Sequence, residues 1–185
     1  MIAKASPLGG ESFGTIGTVL MREVPGIPVF DLRVAPGSAS QAAVSNALSL
    51  ALPATTGHVS SAADSEVHSL CTAPDGWLIV GSGEAGNKLA AFRATGEYHF
   101  SVVDVSGQRT AVDVVGPKAA EVLSHLWEQD LREKSFPAGR VSQGLMVKAP
   151  VIVWHVALNH YRVLVRSSFA VHFWQALTDA AVEHC

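Results

Sequence analysis

Two stretches of this chain, 85 residues apart, follow one pattern, and that repetition constrains the fold more than any other feature. The overlay sets Leu78 on Val163, Ile79 on Leu164 and Val80 on Val165, then Ala85 on Ala170 and Ala91 on Ala176. Each half reads strand, helix, hairpin, helix. This is the element order of ferredoxin-like α+β units, in which helices cover one face of an antiparallel sheet. The expected architecture is therefore α+β, two ferredoxin-like halves with antiparallel sheets, over residues 27–97 and 98–185. Residues 1–26, rich in Gly, Ser and Pro, read as an irregular N-terminal arm able to order against another surface.

Local signals supply the elements. Residues 27–34 form an apolar strand, and Ser38 caps a helix carrying Val44, Ala47, Leu48 and Ala51 that Pro53 ends. Residues 57–71 and 77–81 read as a hairpin around Pro74-Asp75-Gly76, followed by a short helix over 86–93. A strand over 98–105 turns at Ser106-Gly107 into a strand over 109–115. Gly116-Pro117 then opens a helix with Ala119, Val122, Leu123, Leu126 and Trp127 on one face. A loop through Phe136-Pro137-Ala138-Gly139 leads to strands over 144–158 and 161–166. The last helix, from Ser167 or Ser168, carries the stripe Ala170, Phe173, Trp174, Leu177 and Ala181.

Composition bears on partners. Hydrophobic residues make up 48% of the 185 and charged residues 16%, against about 25% charged in an average soluble domain. Few charges leave apolar surface to be covered, which points to a chain that works against partners. The net charge of -3, with no long basic run, excludes a phosphate-backbone or anionic-lipid footprint, so no nucleic acid and no membrane are expected as partners. Cys71 and Cys185 form no disulfide framework, and residues 1–10 hold no continuous apolar export segment. A cytoplasmic location is expected.

The sharpest motif is Gly81-Ser82-Gly83-Glu84-Ala85-Gly86, a G-x-G-x-x-G between a strand and a helix, with Asp104 beyond it. In dinucleotide folds such glycines admit a pyrophosphate to a helix N-terminus. Here Glu84 would set a carboxylate beside that pyrophosphate, and no further βαβ units follow. A glycine-eased turn is the favoured reading, with a dinucleotide-binding oxidoreductase as the alternative. The eight histidines, at 58, 68, 99, 125, 155, 160, 172 and 184, include no pair at i, i+3 or i+4. His68 with Cys71 is an isolated H-x-x-C, and no G-x-S-x-G is present. Asp104 and Arg109 flank the Ser106-Gly107 turn as a structural pair. No catalytic, cofactor-binding or metal-binding residue is expected on this chain.

The second half carries a family resemblance. Asp104-Val105-Ser106 with Arg109, Gly116-Pro117 with Ala119 and Val122-Leu123, Asp130-Leu131, Phe136-Pro137 with Gly139, and Arg166-Ser167-Ser168-Phe169-Ala170 together resemble the gamma subunit of heterotetrameric sarcosine oxidase. The match covers roughly residues 98–183; residues 27–97 agree in length and order. The resemblance implies the fold of the folate-binding domain of glycine-cleavage aminomethyltransferases. It implies alpha, beta and delta subunits as partners, with FAD, FMN, NAD, tetrahydrofolate and zinc on those chains and no cofactor on this one. It implies a non-catalytic role in oxidative demethylation of sarcosine or a related N-methyl amino acid, stabilising the flavin- and folate-bearing subunits. Aminomethyltransferases have a Gly-Gly-x-x-Asp-Asp type segment that supplies a catalytic carboxylate after the strand reading Leu145-Met146-Val147-Lys148 here. This chain instead continues Ala149-Pro150-Val151-Ile152-Val153-Trp154-His155. An independent folate-dependent aminomethyltransferase is the alternative that this departure disfavours.

Overall fold

A computed structural model describes residues 6–63 and 66–184, so residues 1–5 of the expected arm and Cys185 lie outside the described residues. In chain order the elements are β1 (Ser12–Gly14), β2 (Leu20–Val24), β3 (Val29–Val34), α1 (Ala39–Leu48), β4 (Val59–Ser61), β5 (His68–Ala73), β6 (Gly76–Val80) and α2 (Gly83–Ala94). They continue with β7 (Phe100–Asp104), β8 (Arg109–Val115), α3 (Ala119–Ser124), β9 (Val141–Met146), β10 (Ala149–Ala157), β11 (His160–Arg166) and α4 (Ala170–Ala181). The chain divides into two units: Ile27–Ser106, continuous in sequence, and a discontinuous one that joins the chain up to Gly26 with the chain from Gly107.

In the continuous unit the sheet order is β4-β5-β6-β3-β7, every neighbouring pair antiparallel. Elements β3, α1, β5, β6, α2 and β7 make the ferredoxin-like plan, with β4 added at an edge. Ser38 caps α1, accepting the Gln41 N–H at 3.1 Å. The helix stops at Leu48, before the expected Pro53, because Ser49 turns left-handed (φ 51°) and its N–H closes on the Asn46 and Ser45 carbonyls. Leu32, Val44, Trp77, Ile79 and Leu89 fill the core. Trp77 satisfies its indole N–H on the Pro53 carbonyl at 2.9 Å, as a buried Trp must.

In the discontinuous unit the order is β1-β2-β8-β11-β10-β9, again antiparallel throughout. Elements β8, α3, β10, β11 and α4 reproduce the plan, but among the described residues no strand follows α4. The vacant fourth position beside β8 is taken by β2. This changes the expected domain organisation in two places. The described part of the 1–26 segment is not an irregular arm throughout: it supplies two strands, and in β2 Met21 and Glu23 point inward and Arg22 outward in strict alternation. The boundary between halves falls at Ser106/Gly107 rather than at 97/98, because β7 pairs with β3.

Glu23 anchors the N-terminal segment. Buried at 5% exposure, its carboxylate accepts the Leu8 and Gly10 N–H groups at 3.3 and 2.8 Å and the Thr110 hydroxyl at 2.6 Å. Burial alone would push this carboxyl up; the bonds it accepts more than offset that and hold it below its ordinary value.

Two further findings concern register. The run read as one strand over 144–158 is a hairpin: Val147 (φ 44°) and Lys148 (φ 69°) turn between β9 and β10. The repeat is in register on the helices, where Ala85 and Ala170 are both core residues, but not on the strands. Leu78 lies outside its unit's core cluster whereas its overlay partner Val163 lies inside, and Ile79 and Leu164 are reversed. A three-residue 3-10 turn, Ser167–Phe169, joins β11 to α4. A slip of one residue at this junction flips every strand side chain to the other face.

Candidate functional site

Trp154 and His155, which the resemblance to aminomethyltransferases sets where those enzymes have a carboxylate, lie in β10, and alternation sends the two side chains to opposite faces of the sheet. Trp154 pairs in register with Arg162 of β11, whose guanidinium lies 5.8 Å from the indole centroid. Arg162 in turn grips Asp113 of β8 through Nε (2.7 Å) and Nη2 (3.0 Å). Arg22 of β2 approaches the same carboxylate at 3.7 Å, and His160 Nε2 at 3.4 Å. Trp154, Arg162, Asp113 and Arg22 thus form a row across four strands. Asp113 is fully buried. Burial would raise its carboxyl, but the adjoining His160 and Arg162 outweigh that and hold it at about 2.

His155 points into the core, with 1% exposure. Its Nδ1–H donates to the Phe136 carbonyl at 2.7 Å. Its ring stacks on Tyr161 (centroids 4.3 Å) and Phe136 (6.0 Å). Tyr161 donates to the Leu131 carbonyl at 3.2 Å, and its phenol is pushed up by burial and by the Glu133 charge. The imidazole therefore staples the 130–140 loop to the sheet. The residues at this segment do not fit a folate site of the aminomethyltransferase kind: both side chains are buried and used, and the nearby carboxylate of Asp113 is consumed by guanidinium groups.

The Gly81–Gly86 motif is accounted for glycine by glycine. Gly81 sits at φ 127°, and a Cβ there would lie 1.7 Å from the Glu66 carbonyl oxygen; at Gly86 a Cβ would meet the Phe30 ring at 2.0 Å. Gly83 faces open space and begins α2. Ser82 caps that helix, accepting the Glu84 N–H at 3.1 Å, and Glu84 pairs with Lys88 one turn on at 3.1 Å. Two glycines serve close packing, one opens the helix, and the cap is filled by the chain's own serine.

The remaining sequence candidates are placed as follows. Asp104 Oδ1 accepts the Ser106 N–H (2.9 Å) and hydroxyl (2.6 Å), while Arg109 Nη1 donates to Gln108. His155 and His160 fall on opposite faces, with a register irregularity between His155 and Ala157. Cys71 is buried and donates to the Ala73 carbonyl at 3.4 Å; burial pushes its thiol up, away from nucleophilic chemistry. The fold does stack His125 on His184 at 6.0 Å, a pairing across 59 residues that helical spacing could not reveal. Among the described residues, no group of three or more His, Cys, Asp or Glu converges to hold a metal. None of their helices is long and apolar enough to cross a membrane. A hollow of about 330 Å³ in the continuous unit is bounded by Arg33, Asp75 and His99, but Arg33 is already paired with Asp31 and Asp75.

Comparison with known proteins gives this arrangement a context. Residues 34–183 match the model of the sarcosine oxidase, gamma subunit family. The chain is 33% identical over 172 residues to the sarcosine oxidase subunit gamma of an Arthrobacter species, covering 91% of this chain and 83% of the relative. It is 31% identical over 165 residues to that of Corynebacterium sp. strain U-96, covering 89% and 80%. A chain of the heterotetrameric sarcosine oxidase from Corynebacterium sp. U-96, solved with pyrrole 2-carboxylate, superposes with a TM-score of 0.87 at 29% identity over 97% of this chain and 95% of that one. The glycine cleavage aminomethyltransferase T of Bartonella henselae shares the fold at 11% identity, with a TM-score of 0.60 over 92% of this chain and 56% of that one. With the expected fold in place and sequence likeness spanning nearly its whole length, the chain belongs to the sarcosine oxidase gamma subunit family.

Proposed function

We propose that this chain is the gamma subunit of a four-subunit sarcosine oxidase that oxidatively demethylates sarcosine or a related N-methyl amino acid. In this reading it contributes no reacting group and stabilises alpha, beta and delta partners that carry FAD, FMN, NAD, tetrahydrofolate and zinc in the cytoplasm. The observation that carries the reading is the fate of Trp154 and His155. At the segment where a folate transferase needs an open carboxylate, one side chain sits under an arginine and the other is bonded to the Phe136 carbonyl. A proton-handling group must reach the substrate to act, and neither is accessible. The likeness to a chain of a heterotetrameric enzyme supports the assembly.

The test is to express the chain alone and together with its companion subunits, then measure retention, flavin content, melting and turnover of N-methyl amino acids. The expected result is an inactive isolated chain that is retained by its companions and melts higher with them, since a partner that binds only the folded form stabilises it by mass action. Turnover by the isolated chain, folate retained on it, or a complex equally active and stable without it would overturn the reading.

A further inference from the structure

The β9–β10 hairpin tip has three properties that coincide nowhere else among the described residues. First, its backbone is strained. Val147 and Lys148 occupy left-handed conformations at φ 44° and 69°, where this two-residue turn ordinarily takes Asn-Gly and where a β-branched residue is an outlier. The strain is held in place by His172 of α4, whose Nε2–H donates to the Val147 carbonyl at 2.9 Å. Strained turns of this kind cluster at clamps and recognition sites.

Second, the tip is flanked by exposed apolar side chains. Leu145, two residues before the turn, is 61% exposed; Val171, next to His172, is 55% exposed, and Phe169 is also open. Third, the stretch of chain that forms it carries charge of one sign. No Asp or Glu occurs between Glu133 and Asp179, although the chain carries 16 acidic residues and a net charge of -3. Lys148 and Arg166 are exposed there, and no carboxylate among the described residues pairs with either. The opposite end of the same sheet also shows apolar side chains, Ile16 at 62% and Leu158 at 75% exposure. Its cations are answered, however: Lys118 by Glu121, and Arg22 and Arg162 by Asp113. Charge therefore separates the two ends where exposure does not.

We infer that the β9–β10 tip with Leu145, Lys148, Arg166 and Val171 is a docking surface for an acidic segment of a companion subunit. An apolar side chain of that segment would cover Leu145 or Val171, and its carboxylates would meet Lys148 and Arg166. Unlike-charge rims of this kind set register and association rate around a small apolar centre. The inference rests on the four-subunit reading above.

The test uses the co-expressed complex with an affinity tag on a companion subunit. Wild-type chain, the Lys148→Glu/Arg166→Glu pair, Val171→Asp and, at the other end, Leu158→Asp are compared for retention at low and high salt. The pair and Val171→Asp are expected to lower retention about tenfold, wild-type retention to fall with salt, and Leu158→Asp to behave as wild type. A photo-crosslinking residue at position 171, with every charge left in place, should join the chain to an Asp- or Glu-bearing companion peptide. Undiminished retention of the charge-reversed pair, loss confined to Leu158→Asp, or a crosslink only to a second copy of this chain would overturn the inference. If wild-type chain is retained by no companion, the four-subunit reading itself fails. If wild type is retained and the variants equally so, only the docking surface fails.

Discussion

The two units solve one architectural problem in different ways. In the continuous unit, β7 follows α2 and returns beside β3 to complete the sheet. In the discontinuous unit no described strand follows α4, and β2, from the N-terminal segment, occupies the equivalent place beside β8. A ferredoxin-like sheet thus requires an antiparallel strand beside its first strand and is indifferent to where in the chain that strand comes from. Their polar interactions also differ. The continuous unit keeps Arg33 with Asp31 and Asp75 at the surface, while the discontinuous unit buries Asp113 under Arg162 and spans three strands with charge.

The largest effect expected from testing this comparison is deletion of residues 1–24. It removes Leu8, Val19 and Met21 from the core and leaves β8 an open edge. Amide exchange should show protection lost in β8 and β11 while β3 and β6 stay protected; protection persisting in β8 would mean that β2 does not complete that sheet. Next come the glycines at which each unit presses one chain segment on another. Gly81→Ala and Gly116→Ala each place a Cβ at φ 127°, 1.7 Å and 2.5 Å from the Glu66 and Thr18 carbonyl oxygens. Each should cost about 3 kcal/mol or more, Gly81 the more severe, whereas Gly83→Ala should be close to neutral. Denaturant midpoints would rank them, and equal midpoints would remove the packing account of the motif.

The buried carboxylate gives a smaller, pH-dependent effect. Its pKa lies at about 2 in the folded chain against 3.8 ordinarily, so the unfolded chain binds the proton more readily. The stabilisation is present above pH 4 to 5 and disappears as pH falls towards about 2. The difference corresponds to about 2 kcal/mol. Asp113→Asn should flatten that acid limb, whereas Arg33→Ala, which breaks only exposed pairs, should cost under about 1 kcal/mol. An unchanged acid limb in Asp113→Asn would assign the pH dependence elsewhere, for example to Glu23. Smallest is the hairpin: Val147→Asn with Lys148→Gly should raise the melting point of the isolated chain, by about 1 kcal/mol in stability. A lower melting point would show that the turn is not strained.

How much of this was legible follows from what each signal reports. Helix stripes such as Ala170-Phe173-Trp174-Leu177 were readable because a period of 3.6 is robust to one-residue errors in its neighbours. Strand faces were not, since a period of 2 inverts on the same error, and the overlay of Leu78 on Val163 inverted accordingly. The β9–β10 turn escaped because Val147-Lys148 lacks the residues that mark such turns. The segment over 1–26 misled through its glycines: Gly9, Gly10 and Gly14 all take positive φ between or beside the pieces that pair. At the candidate site the departure at Trp154-His155 was visible in sequence, but its consequence was not. That one residue joins a charged row and the other staples a loop depends on partners at Arg162, Phe136 and Tyr161, which only the fold brings near.

The position of β2 has a consequence for how the molecule is made. Synthesis delivers Leu20–Val24 early, yet its partner Arg109–Val115 emerges only after the 84 intervening residues. At about 5–20 residues per second the strand waits roughly 4–17 s on the ribosome with the edge that will face β8 unpaired. In that interval the entire continuous unit is completed beside it. An early strand is thus among the last to find its place, and the discontinuous sheet closes only after β8 and β11 have been made. A released chain ending at Ser106 should therefore carry a folded continuous unit and a protease-sensitive N-terminal segment, which becomes resistant in the chain that also contains β8 and β11.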